Sequence, residues 1–280
     1  MERSMMLLVA SLATALAGEV AFSEPATFSC AEMETFLSKA HPGPMKQLGV
    51  GVTNSHRMTL DDGNMRHDAH LQTIDEKKVR FEGTNGVEIN FRDYYKYNIA
   101  AYRLAKMLAL NMVPPYIERR IGSETGSVSW WVNGATMESQ RYKQNVKIPD
   151  PDRWNEQMYA VRVFHELVYD TDPNLTNLLI TPDWQLWIID LTRAFRTNTN
   201  LRDSKNLVKC DRRLLASMRA LDADTMKQNL GEFLNKSELH GLDARRAKIV
   251  KFFDTEIKAK GESAVLYDFP RTAQACGTGL

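Results

Sequence analysis

The sequence predicts an α+β fold, with strands concentrated in the first half and helices in the second. Three observations carry this expectation. Two runs of strand character flank the turn Asp61-Asp62-Gly63, helical stripes mark residues 93–110 and 151–169, and the pattern from about 203 to 260 is helical almost without interruption. With 280 residues, 43% of them hydrophobic, the chain can build one large domain or two lobes that share a cleft.

The N-terminus has a character of its own. Arg3 precedes an apolar run over residues 5–18, and Ala15-Leu16-Ala17 closes it with small residues at alternate positions. That is the order of a secretory signal. The run is shorter than the ~20 apolar residues a transmembrane helix needs. Residues 1–17 are therefore expected to be a signal peptide, with the mature chain exported (periplasmic or secreted) and without a membrane span. Residues 18–44 read as an N-terminal extension.

Within that extension, residues 31–40 are expected to be a short helix, ended by His41-Pro42-Gly43-Pro44. Runs at 50–53 and 58–60 have strand character. Asp61-Asp62-Gly63 supplies hairpin chemistry, because glycine accepts positive φ, and a third run at 69–74 returns from it. Residues 93–110 follow as a helix with Asp93 at its N-cap, and Tyr97, Ala101, Leu104 and Leu108 share one face. Asn111 and Pro114-Pro115 stop it. Extended runs are expected at 116–121 and 127–132.

The second long helix, 151–169, is capped by Asp150 and starts on Pro151, whose missing N–H costs nothing at that position. Trp154, Met158, Val161 and Val168 line one face. His165 lies on the same stripe and reads as packing. A polar loop leads to a short hairpin, 178–180 and 185–189, turned by Thr181-Pro182-Asp183.

Charge narrows the partner classes. The formal net charge is +1, from 36 basic and 35 acidic residues. The basic pairs Arg212-Arg213 and Arg245-Arg246 are short, so no nucleic acid is expected as a partner. The three cysteines, Cys30, Cys210 and Cys276, match no zinc spacing. One disulfide with a spare thiol and three buried thiols are both open readings, and spacing does not choose the pair.

The chemistry concentrates in residues 169–195. Phosphoryl transfer needs a carboxylate to orient the attacking hydroxyl and oxygen ligands to hold magnesium against phosphates. Asp172 opens the loop after the long helix, Asn177 stands at the mouth of the hairpin, and Asp190 ends its second strand. A hairpin folds Asn177 and Asp190 back beside each other. Asp and Asn are also common turn residues, so the spacing alone is weak; its position between helix and hairpin gives it weight.

That segment resembles a family. Asp172 followed by Asn177, and then Ile188-Ile189-Asp190 after a hairpin, is similar to the catalytic loop and metal-binding aspartate of the protein-kinase superfamily. The likeness is to its atypical members: HipA-like kinases, phosphatidylinositol kinases and secretory-pathway kinases. Asp190-Leu191-Thr192 stands where typical kinases carry Asp-Phe-Gly, and residues 97–114 resemble the αC helix and the strand after it. The likeness covers about residues 45–200.

The resemblance implies a two-lobed protein-kinase-like fold, with a β-rich N-lobe at 45–133 and a mainly helical C-lobe at 134–280. It implies ATP and Mg2+ as cofactors, Asp172 as the catalytic aspartate, and Asn177 and Asp190 as metal ligands. Gly49, Gly51 and Thr53 fall where a glycine-rich nucleotide loop joins the first two strands. Trp131 begins the hinge, 131–134, that meets the adenine.

Two positions depart from the family pattern. Gln72 stands where members carry a phosphate-binding lysine, and Asn98 stands where they carry its glutamate partner. An amide–amide hydrogen bond between them would still fasten helix to strand, but the phosphates lose a cation. Lys46, Arg57, Lys77 and Lys78 are candidates to replace it. The readings are thus an active phosphotransferase, a pseudokinase that binds nucleotide or a partner without transfer, and another nucleotide chemistry such as adenylyl transfer. Protein, lipid and small-molecule acceptors are all open. The polar segment 139–150 reads as either acceptor surface or solvated loop.

Overall fold

A computed structural model describes residues 28–49, 55–83 and 86–269. The signal-peptide reading, the run at 50–53, Gly51, Thr53 and Cys276 lie outside the described residues. The fold is α+β, with a sheet-rich first part and a helical second part.

Helix α1 (Cys30–Lys39) begins on Ser29, whose hydroxyl accepts from the Glu32 N–H while Glu32 reaches back to the Ser29 N–H at 2.7 Å. This capping box satisfies two donors that a helix start otherwise leaves bare. Its buried face, Phe36 and Leu37, packs on Met58, Leu60, Leu71 and Val128 of a five-stranded antiparallel sheet. The strands are β1 (His41–Gln47), β2 (Ser55–Asp61), β3 (Arg66–Gln72), β6 (Tyr116–Ile121) and β7 (Glu124–Trp130), in the order β1-β2-β3-β7-β6.

The first correction is at β1. His41-Pro42-Gly43-Pro44 does end α1, but it continues directly as a strand. Proline survives there because β1 is an edge strand, paired on one side, with a bulge between Pro42 and Met45. The β2–β3 hairpin turns where expected, with Gly63 at φ 89°.

The second correction concerns residues 75–94. They form a hairpin of their own, β4 (Asp75–Gly83) and β5 (Gly86–Tyr94). Asp93 is therefore a strand residue, and Tyr94 precedes helix α2 (Tyr95–Met107). Helix α2 is buried on nearly every face and carries Tyr97, Asn98, Ile99, Ala101, Tyr102 and Leu104 into the core. It packs on β6 and β7, and its Tyr97 hydroxyl donates to Glu238 of the last long helix at 2.5 Å. It thereby joins the two halves.

The second half starts with the short strand β8 (Thr136–Met137) and helix α3 (Glu138–Lys143), which occupies part of the polar segment 139–150. Helix α4 (Pro151–Val168) is capped by Asp150, which accepts from the Arg153 N–H at 3.0 Å. Strands β9 (Leu178–Ile180) and β10 (Leu186–Ile188) form the small hairpin, with β8 added at its edge. After them come β11 (Cys210–Asp211), α5 (Arg212–Ala220), α6 (Ala223–Leu230), α7 (Lys236–Lys260), α8 (Glu262–Val265) and β12 (Leu266–Tyr267). Strands β11 and β12 pair in parallel.

Helix α7 braces the segment after the small hairpin. Arg245, fully buried, donates to the carbonyls of Leu167 at 2.8 Å and Arg196 at 2.9 Å. Cys30 is disulfide-bonded. Cys210 is a free, buried thiol. Among the described residues no helix is long and apolar enough to cross a membrane.

Candidate functional site

The loop after α4 is built from short-range hydrogen bonds. Tyr169 ends the helix in the left-handed region, at φ 50°, and turns the chain sharply. Asp170, almost wholly buried, accepts from the Asp172 N–H at 2.9 Å and lies 2.8 Å from the His165 ring. Burial works to raise the Asp170 carboxyl, but the His165 ring and the Asp172 N–H hold it below the ordinary aspartate range. His165 thus positions the loop rather than merely filling the helix face. Asn174 accepts from the Thr176 N–H at 2.8 Å and opens a 3-10 turn over residues 175–177.

That turn and the small hairpin bring the predicted residues together. The Ile189 N–H donates to the Asn177 carbonyl at 2.9 Å, so Asn177 and the residue preceding Asp190 are cross-strand partners. The Asn177 side-chain amide donates to the Asp172 carbonyl at 3.3 Å, and its oxygen accepts from the Thr176 hydroxyl at 3.4 Å. Asp172, Asn177 and Asp190 all line one cleft, with about 470 Å³ of water-accessible space. That volume suits a small-molecule ligand.

Asp190 sits at φ 54°, a conformation aspartate tolerates better than most residues. Its Oδ1 accepts from Gln72 Nε2 at 2.9 Å and from the Thr192 hydroxyl at 3.1 Å. Gln72 Oε1 accepts in turn from Asn98 Nδ2 at 2.7 Å, and Asn98 Oδ1 accepts from the Leu191 N–H at 2.7 Å. The amide pair expected between β3 and α2 therefore forms, and it closes into a ring through Asp190 and Leu191. Gly126 makes room for it: a Cβ there would stand 2.4 Å from the Gln72 carbonyl oxygen. Burial raises the Asp190 carboxyl to about 6, Gln72 and Thr192 pulling against it and the charge of Asp93 adding to it.

Trp131 and Val132 lie at the cleft's rim, where the chain passes between the two halves. Trp131 has already used its backbone groups: its N–H donates to the Asp68 carbonyl at 3.1 Å, and its carbonyl meets the His67 ring at 3.0 Å. Leu48 and Ser55, which flank the nucleotide-loop segment between β1 and β2, also line the cleft. Of the three loop residues, Gly49 alone is described, and among the described residues no atom lies within 4 Å of where its Cβ would stand.

None of the candidate replacement cations lines the cleft. Arg57 pairs with Asp68 and stacks on Trp131, and Lys78 pairs with Glu76 at 2.6 Å. The basic groups that do line it are His70 and Arg193, which the sequence reading passed over. Arg193 lies 3.0 Å from Glu88 and 3.5 Å from Asp172. Arg196 also pairs with Glu88, its Nε 2.6 Å away. Glu88 belongs to the β4–β5 hairpin, which also presents Glu76, Phe81, Phe91 and Asp93 to the cleft. This hairpin is the part of the site that the sequence reading missed. The Asn85-Gly86 dipeptide is the sequence signal that marks it.

No protein-family model matches the chain, and no curated protein matches its sequence. Among solved structures, the chain is similar to the Helicobacter pylori proinflammatory kinase CtkA, with a TM-score of 0.52 at 11% identity. The match covers 80% of this chain and 98% of that one. The fold is kinase-like. At that identity the likeness speaks for architecture, while the arrangement of Asp172, Asn177 and Asp190 around one cleft is this chain's own geometry.

The residues present fit a divalent cation. Asn177 offers an amide oxygen and Asp190 a buried carboxylate, both hard oxygen donors of the kind magnesium takes. Asp190 has only amide and hydroxyl donors beside it, Gln72 and Thr192, and no cationic side chain. Among the described residues no three His, Cys, Asp or Glu side chains converge into a closed metal cage. Phosphate oxygens and water would complete the shell, as is usual for magnesium in nucleotide sites.

Proposed function

We propose that this protein is a magnesium- and ATP-dependent phosphotransferase of the atypical kinase type, acting on an alcohol group. The observation that carries the reading is the approach of Asn177 and Asp190 across the small hairpin, with Asp172 on the same cleft. Asp172 would orient the acceptor hydroxyl and take its proton as the new O–P bond forms and ADP departs with the cleaved bond. Asn177 and Asp190 would hold the cation, which neutralises charge on the phosphates when bound. The Gln72–Asn98 pair keeps α2 docked on β3 and holds Asp190 in place, as a lysine–glutamate pair does in the family it resembles.

The rim at Trp131 and Val132 supports an adenine site, and Leu48 and Ser55, which line the same cleft, would stand toward the phosphates. The acceptor would enter beside the β4–β5 hairpin, past Phe81 and Arg193. Export behind residues 1–17 belongs to the same proposal. The disulfide at Cys30 favours it, because disulfides persist in oxidising compartments.

ADP release from Mg-ATP tests the reading, with Asp172→Asn as the control. Turnover in the parent protein that falls at least a hundredfold in the variant is the expected outcome. ATP bound without any turnover would favour the pseudokinase reading, in which Gln72 marks a site that holds nucleotide without transferring phosphate. Turnover unchanged in Asp172→Asn would remove Asp172 from the chemistry.

A further inference from the structure

A nucleotide triphosphate would bring negative charge into a cleft that Glu76, Asp93, Asp172 and Asp190 already line. Gln72 has no charge to answer it, and its amide is spent on Asp190 and Asn98. Residues 48–54, between β1 and β2, contain no lysine or arginine. Among the described residues that line the cleft, the basic ones are His70 and Arg193. Burial and the nearby His56 push the His70 ring down to about 4, so it is neutral at pH 7. Arg193 is the cation that remains.

Its position is set from three sides. The Arg193 carbonyl accepts from both the N–H and the hydroxyl of Thr171 at 3.2 Å, which fixes it beside the loop that carries Asp172. The guanidinium carbon lies 5.0 Å from the centre of the Phe91 ring and 5.5 Å from that of Phe81. Nη2 donates to Glu88 at 3.0 Å. The rest of the fork is less committed. Nε has no acceptor. Nη1 faces Asp172 Oδ2 at 3.5 Å, an ion pair too long for a hydrogen bond, and bonds to nothing else among the described residues. The side chain keeps 20% of its surface exposed, so this second edge is open to the cleft. An arginine with a purely structural task would end both edges on acceptors, because its planar fork carries donors on each.

We propose that Arg193 is a catalytic residue of the transfer, its Nη1 donating to an oxygen of the γ-phosphate and supplying the positive charge that Gln72 does not. The proposal rests on the magnesium-nucleotide reading above and deepens it. In the step, the acceptor oxygen bonds to the γ-phosphorus and its proton passes to Asp172. The bond from that phosphorus to the bridging oxygen breaks, and its electron pair leaves on ADP. Arg193 changes no bond of its own. It stays anchored on Glu88 while its open edge meets the charge spread over the transferring group. Its place beside Asp172 suits that task, because the acceptor hydroxyl must reach both this carboxylate and the γ-phosphorus.

Binding reads this contact apart from turnover. Titration calorimetry on the full chain with Mg2+ compares a non-hydrolysable ATP analogue with ADP, which lacks the γ-phosphate. The parent protein is expected to favour the analogue by about tenfold or more, the size of a hydrogen bond to a charged group. Arg193→Gln should bind the two ligands alike, with ADP affinity little changed, and Arg193→Lys should keep part of the preference. Thermal unfolding confirms that each variant is folded. A role confined to holding the hairpin would weaken both ligands equally. Equal weakening, or a full preference kept by Arg193→Gln, therefore overturns the proposal and leaves the nucleotide reading standing. Neither ligand bound by the parent would overturn both. A second measurement needs no variant: phenylglyoxal modification of the parent, followed by peptide mapping. Arg193 should be protected by the analogue and not by ADP, and equal protection by both would contradict the proposal.

Discussion

The side-chain amide of Gln72 donates to Asp190 Oδ1 at 2.9 Å while its oxygen accepts from Asn98 at 2.7 Å. One neutral side chain therefore orients the buried carboxylate of the candidate metal site and ties it to α2. An amide can do both because it carries a donor and an acceptor on one planar group. A lysine would donate to both neighbours and would need an acidic partner on α2, which explains why Gln72 and Asn98 occur together.

Replacing Gln72 by Leu removes one buried hydrogen bond from the Asn98 amide, which keeps only Ser127 at 3.3 Å, and one from Asp190 Oδ1, which keeps only Thr192 at 3.1 Å. Such bonds contribute about 0.5–1.5 kcal/mol between neutral groups and about 1.5–3 kcal/mol to a charged one. Chemical denaturation should therefore show Gln72→Leu less stable than the parent by about 2–4 kcal/mol. A change below about 0.5 kcal/mol, the usual size for an unimportant surface position, would contradict the ring described here.

Glu88 is one of the ties that hold hairpin β4–β5 over the cleft, meeting Arg193 at 3.0 Å and also Arg196, beside the stacking of both guanidinium groups on Phe91. Glu88→Ala should leave Arg196 without its carboxylate and Arg193 with Asp172 alone, 3.5 Å away. Amide hydrogen exchange over residues 75–94 is expected to rise by about tenfold or more, with exchange in α4 unchanged. Equal protection in both proteins would mean that the hairpin is fastened elsewhere.

Asp190 gives the protein a pH signature. Its carboxyl is raised to about 6 from the ordinary 3.8, burial being the first cause. A raised acid favours the folded state in its protonated form. Its contribution is full below about pH 3.8 and is lost as pH climbs through about 6 in metal-free protein, on the order of 3 kcal/mol. A divalent cation reverses the preference, because it takes the ionised form. Magnesium affinity in the presence of nucleotide should therefore weaken about tenfold between pH 7 and pH 5. Titration calorimetry at the two pH values checks this, and a pH-independent affinity would contradict it.

Gly126 is a packing test of the same region. Its missing side chain lets β7 pass the Gln72 carbonyl, and a methyl group there would lie 2.4 Å from that oxygen. Gly126→Ala should destabilise the protein by about 1–3 kcal/mol, as overpacked sites do. Thermal unfolding measures it. An unchanged midpoint would show that the strands can part without disturbing the site.

What the sequence revealed depended on how local each signal was. The small hairpin and its three polar residues were legible because Asp172, Asn177 and Asp190 fall within nineteen positions, and turn chemistry fixes their relation. Helix α4 was legible from Asp150, Pro151 and a clear stripe. The β1 strand was hidden by its prolines, which read as breakers and which only an edge position tolerates.

The β4–β5 hairpin was missed for a different reason. Its strands do alternate, as Val79-Arg80-Phe81-Glu82 and Val87-Glu88-Ile89-Asn90-Phe91-Arg92 show, but it stands away from the five-stranded sheet with only Phe91 and Asp93 buried, and its many charges read as a solvated stretch. Asp93 in turn looked like a helix cap, because a carboxylate just before a helical stripe usually is one. Its true setting, in β5 beside Thr192, is set by contacts across about a hundred residues of chain, which no local pattern carries.

The central claim is that this cleft binds a magnesium nucleotide through Asp190. Calorimetry of ATP binding, with and without Mg2+, on the parent protein and on Asp190→Ala, tests it most directly. The account predicts magnesium-dependent binding in the parent and a loss of at least tenfold in affinity in the variant. Binding of equal strength in both proteins, or ATP binding that ignores magnesium, would contradict it.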